Sequence, residues 1–243
     1  MNARRRAMRA GAGFLAGILL LGLPGGARAA AAPDLVFSAL SPKIASGKVA
    51  IANTFKNQGT APTAGTFYGA FYLSADKTFD ASTDHLLGKR ARTTPLNAGS
   101  SSSATSSFAV PASVPPGDYY VLGVIDSTGT QAESDESNNV SASAGTLSIR
   151  ADLVVSAISA TRSGDTLTIK STVKNQGVLA ASGPFRVDFY LSKDATITTA
   201  DTRFGERTVS GTLAYGKTSL ATTTLAIPAG LPAGTYRVGA IAD

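Results

Sequence analysis

Few side chains in this 243-residue chain are able to do chemistry. It has one histidine, His85, beside Asp84, and no cysteine. A Ser-His-Asp set can be drawn with one of the many serines, yet nothing resembles a nucleophile elbow or an oxyanion loop. His85 is therefore expected as a surface residue in a loop. Zinc needs several histidine or cysteine ligands, which this composition does not supply. Glu133, Asp135 and Glu136 offer the paired carboxylates used in glycoside hydrolysis. They cluster before a strand, however, where neighbouring acids form a solvated turn, and Asn138 and Asn139 supply turn hydrogen bonds.

Calcium is the metal these residues suit. Ser74, Asp76, Asp80 and Asp84 run through one loop at regular spacing, and calcium takes several oxygen ligands on a flexible loop. A second stretch keeps Ser192, Asp194 and Asp201, with Thr198 or a neighbour in place of Asp80. The spacing is not that of an EF-hand. The competing reading is a loop whose aspartates bond only their own backbone. Phe67, Tyr68, Phe71 and Tyr72, with Phe185, Phe189 and Tyr190, are the aromatics a sugar platform would use. Period-two alternation assigns Phe67, Phe71 and Phe189 to a core instead.

These residues recur because the chain repeats itself. Asp34-Leu35-Val36 matches Asp152-Leu153-Val154, and Lys56-Asn57-Gln58-Gly59 matches Lys174-Asn175-Gln176-Gly177, both 118 positions apart. Phe71-Tyr72-Leu73-Ser74 matches Phe189-Tyr190-Leu191-Ser192 at the same offset. One deletion then shifts the offset to 117, pairing Gly88 with Gly205, Gly117 with Gly234, Tyr119 with Tyr236 and Asp126 with Asp243. Thr202 lies in the stretch aligned with His85, so the second copy has no histidine there. A unit of this length is a whole sandwich domain rather than a solenoid repeat.

Within each unit the apolar residues alternate between turn signals, which predicts strands. In copy one these fall near Leu35–Leu40, Lys48–Phe55, Thr66–Leu73, Leu86–Arg90, Ser102–Val110, Asp118–Asp126 and Val140–Ile149. Turns are expected at Pro42, Ser46-Gly47, Asn57-Gln58-Gly59, Asn97-Ala98-Gly99 and Pro115-Pro116-Gly117. Gly117-Asp118-Tyr119 and Gly234-Thr235-Tyr236 fit a tyrosine corner. The predicted fold is all-β: two tandem immunoglobulin-like antiparallel β-sandwiches after a signal peptide. Their bounds are 1–29 for the leader, 33–149 for the first sandwich and 151–243 for the second. The second copy lacks the counterpart of Ser127–Ile149, so its sheet is expected to be incomplete. A fragment is favoured over a strand donated by a partner, because an unprotected edge is costly.

The leader reading rests on Arg4, Arg5, Arg6 and Arg9, an apolar run from Gly11 to Leu23, and Ala27-Arg28-Ala29. The run is 13 residues, against ~20 for a spanning helix, so no transmembrane segment is expected in the mature chain. The adjacent arginines suit twin-arginine export, without other support in the segment. A lipoprotein is excluded by the missing cysteine. Five of the 22 basic residues lie in the leader and none of the 16 acids does, which leaves the mature chain at a net +1. Nucleic acid is thereby removed as an expected partner. Without disulfides, stability must come from apolar burial.

On these blocks each unit resembles the CARDB domain, the cell-adhesion-related domain found in bacteria. The shared features are the Asp-Leu-Val opening, the Lys-Asn-Gln-Gly turn, the Phe-Tyr-Leu-Ser strand end with its following Asp, the Leu-Gly and the Pro-x-Gly-x-Tyr corner. The acidic Glu133–Asn139 segment fits as well, in copy one alone. The resemblance implies an Ig-like fold in an extracellular, cell-surface or periplasmic setting. The expected function is a non-catalytic exported adhesion or spacer module, with a protein or glycan of the surface or matrix as partner. The alternative is a calcium- or carbohydrate-dependent recognition module accessory to an extracellular enzyme. Calcium at Asp76, Asp80, Asp84, Asp194 and Asp201 is the cofactor expectation.

Overall fold

The computed structural model describes residues 30–243, so the leader reading of 1–29 lies outside the described residues. Residues Ala31–Asp243 form one compact unit of fourteen strands with every pairing antiparallel. Among the described residues no helix is long and apolar enough to cross a membrane.

Copy one contains β1 (Leu35–Ala45), β2 (Lys48–Asn57), β3 (Phe67–Ser74), β4 (His85–Arg92), β5 (Ser101–Phe108), β6 (Gly117–Val124), β7 (Val140–Ala142) and β8 (Leu147–Ile149). One sheet has the order β1-β2-β5, and the other β4-β3-β6-β7 with β8 also on β6. Copy two contains β9 (Leu153–Ser163), β10 (Thr166–Asn175), β11 (Phe185–Ser192), β12 (Thr202–Val209), β13 (Thr218–Ala226) and β14 (Arg237–Ala242). Its sheets run β13-β10-β9 and β12-β11-β14. Both copies bulge at the same places. Ser38 and Ser156 are skipped in the first pairing, and Leu87 and Phe204 in the pairing of the third and fourth strands. The repeat is thus reproduced down to the irregularities that set strand twist.

Alternation fills the space between the sheets, as strand geometry requires. Val49, Ile51 and Phe55 on β2 face Phe67, Phe71 and Leu73 on β3, all fully buried. Phe37 meets Phe55 and Phe71 edge-on at 5.2 and 5.7 Å, a favoured aromatic geometry. In copy two Ile169, Val173, Val187 and Phe189 take the same role.

Three expectations need correction. Pro42 is no turn; it lies within β1, opposite Ile51, and is tolerated because β1 is an edge strand whose outer N–H positions need no partner. The strand expected over Val140–Ile149 is two strands. Ser143 separates them: its N–H donates to the Val121 carbonyl, its hydroxyl accepts from the Val121 N–H at 3.0 Å, and that hydroxyl donates to the Gly145 carbonyl at 2.7 Å. His85 is no loop residue; it opens β4 and packs edge-on to Tyr119 with ring centres 6.0 Å apart.

The copies also touch. Val178 and Leu179 of copy two pack against the first core. The two-residue turn Ser46-Gly47 has positive φ at both residues, 49° and 70°. Gly47 lies flat against the Tyr215 ring, where any side chain would collide. Copy two has Asp165 where copy one has Gly47, and copy one has Ala98 where copy two has Tyr215.

Candidate functional site

The Asn-Gln-Gly block is a knot. Asn57 is fully buried and all its polar capacity is used. Its Oδ1 accepts from the N–H groups of Asp34 and Gly59 at 3.1 and 3.0 Å, and its Nδ2 donates to the carbonyls of Ala61 and Leu96, both at 2.8 Å. Asn175 repeats the set with Asp152, Gly177, Leu179 and Leu213. Gln58 and Gln176 donate from Nε2 to the Asp34 and Asp152 carboxylates at 3.1 and 2.9 Å. Gly59 and Gly177 must be glycine, because a Cβ would strike the backbone just before β1 or β9. The block thus ties the end of the second strand to the start of the first.

The tyrosine corner is present twice. Tyr119 Oη donates to the Pro115 carbonyl at 3.0 Å, and Tyr236 Oη to the Pro232 carbonyl at 2.9 Å.

Two arginines escaped sequence reasoning. Arg90 on β4 reaches across the sandwich, donating to Asn53 Oδ1 at 2.7 Å and to the carbonyl and hydroxyl of Ser102. Its guanidinium lies 4.1 Å from the Phe55 ring centre. Asn53 is itself buried and donates to the Ile51 carbonyl and Ser106 Oγ. Arg207, 117 positions on, donates to Ser171 Oγ, Ser219 Oγ and the Ser219 carbonyl. Burial lowers both guanidinium pKa values from their ordinary range, with Arg92 adding to the effect at Arg90. Neither arginine donates to a carboxylate; the charges are met by neutral acceptors that join one sheet to the other. The signal was in the sequence, as a shared Gly-x-Arg (Gly88 to Arg90, Gly205 to Arg207) inside a strand.

The acidic segment seals copy one. Glu133 accepts from the Leu35 N–H through Oε2 and from Asn139 Nδ2 through Oε1. Asn138 donates to Asp34 Oδ1, and the Ser134 N–H to the Pro33 carbonyl. Burial, with Glu136 and Asp126 nearby, outweighs these bonds and raises the Glu133 carboxyl to about 7. Asp135 instead caps Ser137, whose N–H and hydroxyl hold its pKa low.

The aspartate loop follows the third strand in each copy. Asp76 Oδ1 accepts from the Thr78 N–H, Asp80 Oδ1 from the N–H and hydroxyl of Ser82, and Asp84 Oδ2 from the Asp80 N–H. In copy two Asp194 Oδ1 accepts from the Thr196 N–H, and Asp201 Oδ2 from the Thr198 N–H. Thr198 is therefore the counterpart of Asp80, and the one-residue deletion falls between Thr198 and Asp201. Bonds from Ser82 and Thr198 hold the Asp80 and Asp201 carboxyls below their usual range. Ser74, Asp76, Asp80 and Asp84, with His85 and Tyr119, line one concavity of about 310 Å³. Among the described residues no three His, Cys, Asp or Glu side chains converge to hold a metal by themselves. A cation here would draw on hydroxyl and carbonyl oxygens as well as carboxylates.

The three core assignments hold, although Tyr190, which alternation sets on the other face of β11 from Phe189, is buried as well. Phe67, Phe71 and Phe189 are fully buried, while Tyr72 is covered by Phe79 with ring centres 4.8 Å apart.

No curated protein matches the chain. Among solved structures it is similar to the CARDB domain of a Pyrococcus furiosus protein, solved in complex with di-metal ions, at 18% identity and a TM-score of 0.35. That match covers 48% of this chain and 88% of the other. Beta-glucosidase 3B from Thermotoga neapolitana, in complex with glucose, matches at 21% identity and a TM-score of 0.33, over 48% of this chain and 16% of that one. Red sea bream transglutaminase matches at 12% and 0.38, over 84% and 28%. The chain thus spans a small part of either enzyme. The likeness to all three is loose, and the assignment rests on the family model, which matches residues 32–143 and 150–243. The chain belongs to the CARDB family.

Proposed function

We propose that the chain is an exported module that adheres or spaces at a cell surface through two sandwiches, 33–149 and 151–243, without catalysis of its own. One observation carries the reading: the blocks shared by the copies are spent on holding each sandwich together. The Asn57 and Asn175 knots, the two tyrosine corners and the inter-sheet arginines are all internally satisfied. A domain built this way offers a surface rather than a reaction centre. The partner class is a protein or glycan of the surface or matrix, and the setting is extracellular, cell-surface or periplasmic. The test displays the chain on a non-adherent cell and measures attachment to immobilised envelope and matrix components. Attachment to one component supports the reading. Turnover of a glycoside or peptide panel by the purified chain sinks it.

The alternative is a recognition module dependent on calcium or carbohydrate. It is favoured by the concavity that Asp76, Asp80 and Asp84 line together with Ser74. Calorimetric calcium titration should give heat that vanishes in Asp80→Asn, with a matching rise in melting temperature. Absence of both removes calcium, and a silent glycan array removes the sugar.

A further inference from the structure

The two sandwiches differ at a set of matching positions, and those positions meet. The pairs are Ile44 with Arg162, Gly47 with Asp165, Thr60 with Val178, Ala61 with Leu179 and Ala98 with Tyr215. In each pair the glycine or the larger apolar member lies where one copy touches the other. Ile44 borders one concavity with Val178 and Gln176 of copy two, and Gly47 lies against the Tyr215 ring. Val178 and Leu179 pack against the first core, and the hydrophobics packed on the second core do not include them, although both belong to copy two.

Two of these turns keep the same backbone in both copies, so only their side chains have changed. The Lys217 N–H donates to the Ala214 carbonyl at 3.1 Å, as the Ser100 N–H does to Asn97 at 3.0 Å, and Gly216 and Gly99 both have a φ of 73°. Tyr215 therefore adds a ring to a turn that Ala98 builds equally well. The Leu179 N–H donates to the Arg150 carbonyl and the Ala61 N–H to the Ala32 carbonyl, both at 3.2 Å. Val178 and Leu179 thus replace Thr60 and Ala61 with no change of path.

The connection between the copies is short and held from both sides. Only Arg150, Ala151 and Asp152 lie between β8 and β9. The Arg150 guanidinium pairs with Asp118 of copy one at 3.0 Å, while its carbonyl accepts from the Leu179 N–H of copy two. So short a tether keeps the facing surfaces at high effective concentration, and a small apolar contact is then enough to close them.

We propose that these residues form a built joint, in which copy two is the fixed partner of the Ile44–Gly47 end of copy one and the two sandwiches move as one body. Tandem domains without such a contact move independently. The joint is specific to this pair of faces. At the matching outer positions copy one has Thr60, Ala61 and Ala98, and copy two has Arg162 and Asp165. Arg162 is exposed, and a side chain at Asp165 would meet a ring seated as Tyr215 is, so a second chain does not stack by the same contact.

The proposal goes beyond the adhesion reading, and its failure leaves that reading standing, because its test follows only the motion of one sandwich against the other. The chain has no cysteine, so Thr105→Cys and Thr222→Cys, both at exposed strand positions, take one spin label in each sandwich. Electron–electron distance measurement on the full chain should give one narrow distribution. Val178→Thr, Leu179→Ala and Tyr215→Ala together install the residues that copy one carries in the same turns. They should broaden the distribution about twofold or more, toward the spread of a flexible tether, with the sheet circular dichroism retained. Tyr215→Ala alone, in a turn that holds alanine in copy one, should broaden it in part and decides the matter where the triple variant unfolds. A broad distribution in the parent chain, or a narrow one unmoved by these changes, overturns the proposal.

Discussion

Copy one and copy two share their bonding motifs and differ in how fully their cores are closed. Val121, Val114, Ile125 and Leu35 are buried in copy one, while the matching Val238, Leu231, Ala242 and Leu153 are part-exposed. The Asn knot, the tyrosine corner and the inter-sheet arginine nevertheless keep the same partners. The difference teaches that these polar devices set chain path and register locally. Closing the core is the separate task of β7, β8 and the Glu133–Asn139 segment.

The largest effect should come from the knot, where the comparison predicts equality. Asn57→Ala leaves the Asp34 and Gly59 N–H groups and the Ala61 carbonyl without their partner, while the Leu96 carbonyl keeps the Thr63 N–H, and should cost about 4 kcal/mol, read by urea denaturation. Asn175→Ala should cost the same in copy two, and a loss of half that size would break the equivalence. Next, Ile149→Ala should turn copy one toward copy two, costing about 3 kcal/mol for the lost burial and the cavity. Hydrogen exchange should then quicken at Gly117–Tyr119, and unchanged exchange would detach β8 from the order of β6.

A smaller effect separates the arginines. Arg90→Ala strands the buried Asn53 Oδ1, uncovers the Phe55 ring and should cost about 2 kcal/mol. Arg207→Ala leaves serine hydroxyls free to rotate to other partners and should cost about half as much, so equal losses would count against that account. The smallest effect is a pH dependence confined to copy one. Glu133 is raised in the folded chain to about 7, so between its ordinary value near 4.5 and 7 the folded state holds more protons than the unfolded one. Stability from this group is highest at low pH and falls as pH rises through that window. For a half-buried carboxyl the change is about 1 kcal/mol after solvent screening. Glu133→Gln should flatten the profile between about pH 4.5 and 7, and a profile that keeps its slope would assign it elsewhere.

Much of the fold was legible because the repeat did the work of an alignment. Shared blocks marked the strands and corners, and alternation separated buried Phe67 and Phe71 from Tyr72. What sequence alone hid were non-local pairings. Nothing in Asn57-Gln58-Gly59 announces Asp34, and nothing in Glu133 announces the Leu35 amide, since each bond closes a loop of 23 or more residues. Pro42 misled because a proline signals a turn unless the strand is known to be an edge. Arg90 went unnoticed because nothing local marks a charged residue inside a strand as inward-facing until the opposite sheet supplies its acceptors.

The ties at the start of each first strand have a mechanical consequence. In copy one, tension on the chain before β1 loads the Asn57, Gln58, Glu133, Ser134 and Asn138 bonds together, in parallel. Among the described residues of copy two the same load at Asp152 falls on Asn175 and Gln176, with the Leu179 N–H on the Arg150 carbonyl beside them. Forced unfolding follows the rate of the first yielding step. Under a steady pull on either sandwich, the knot at the start of its first strand therefore sets when it yields.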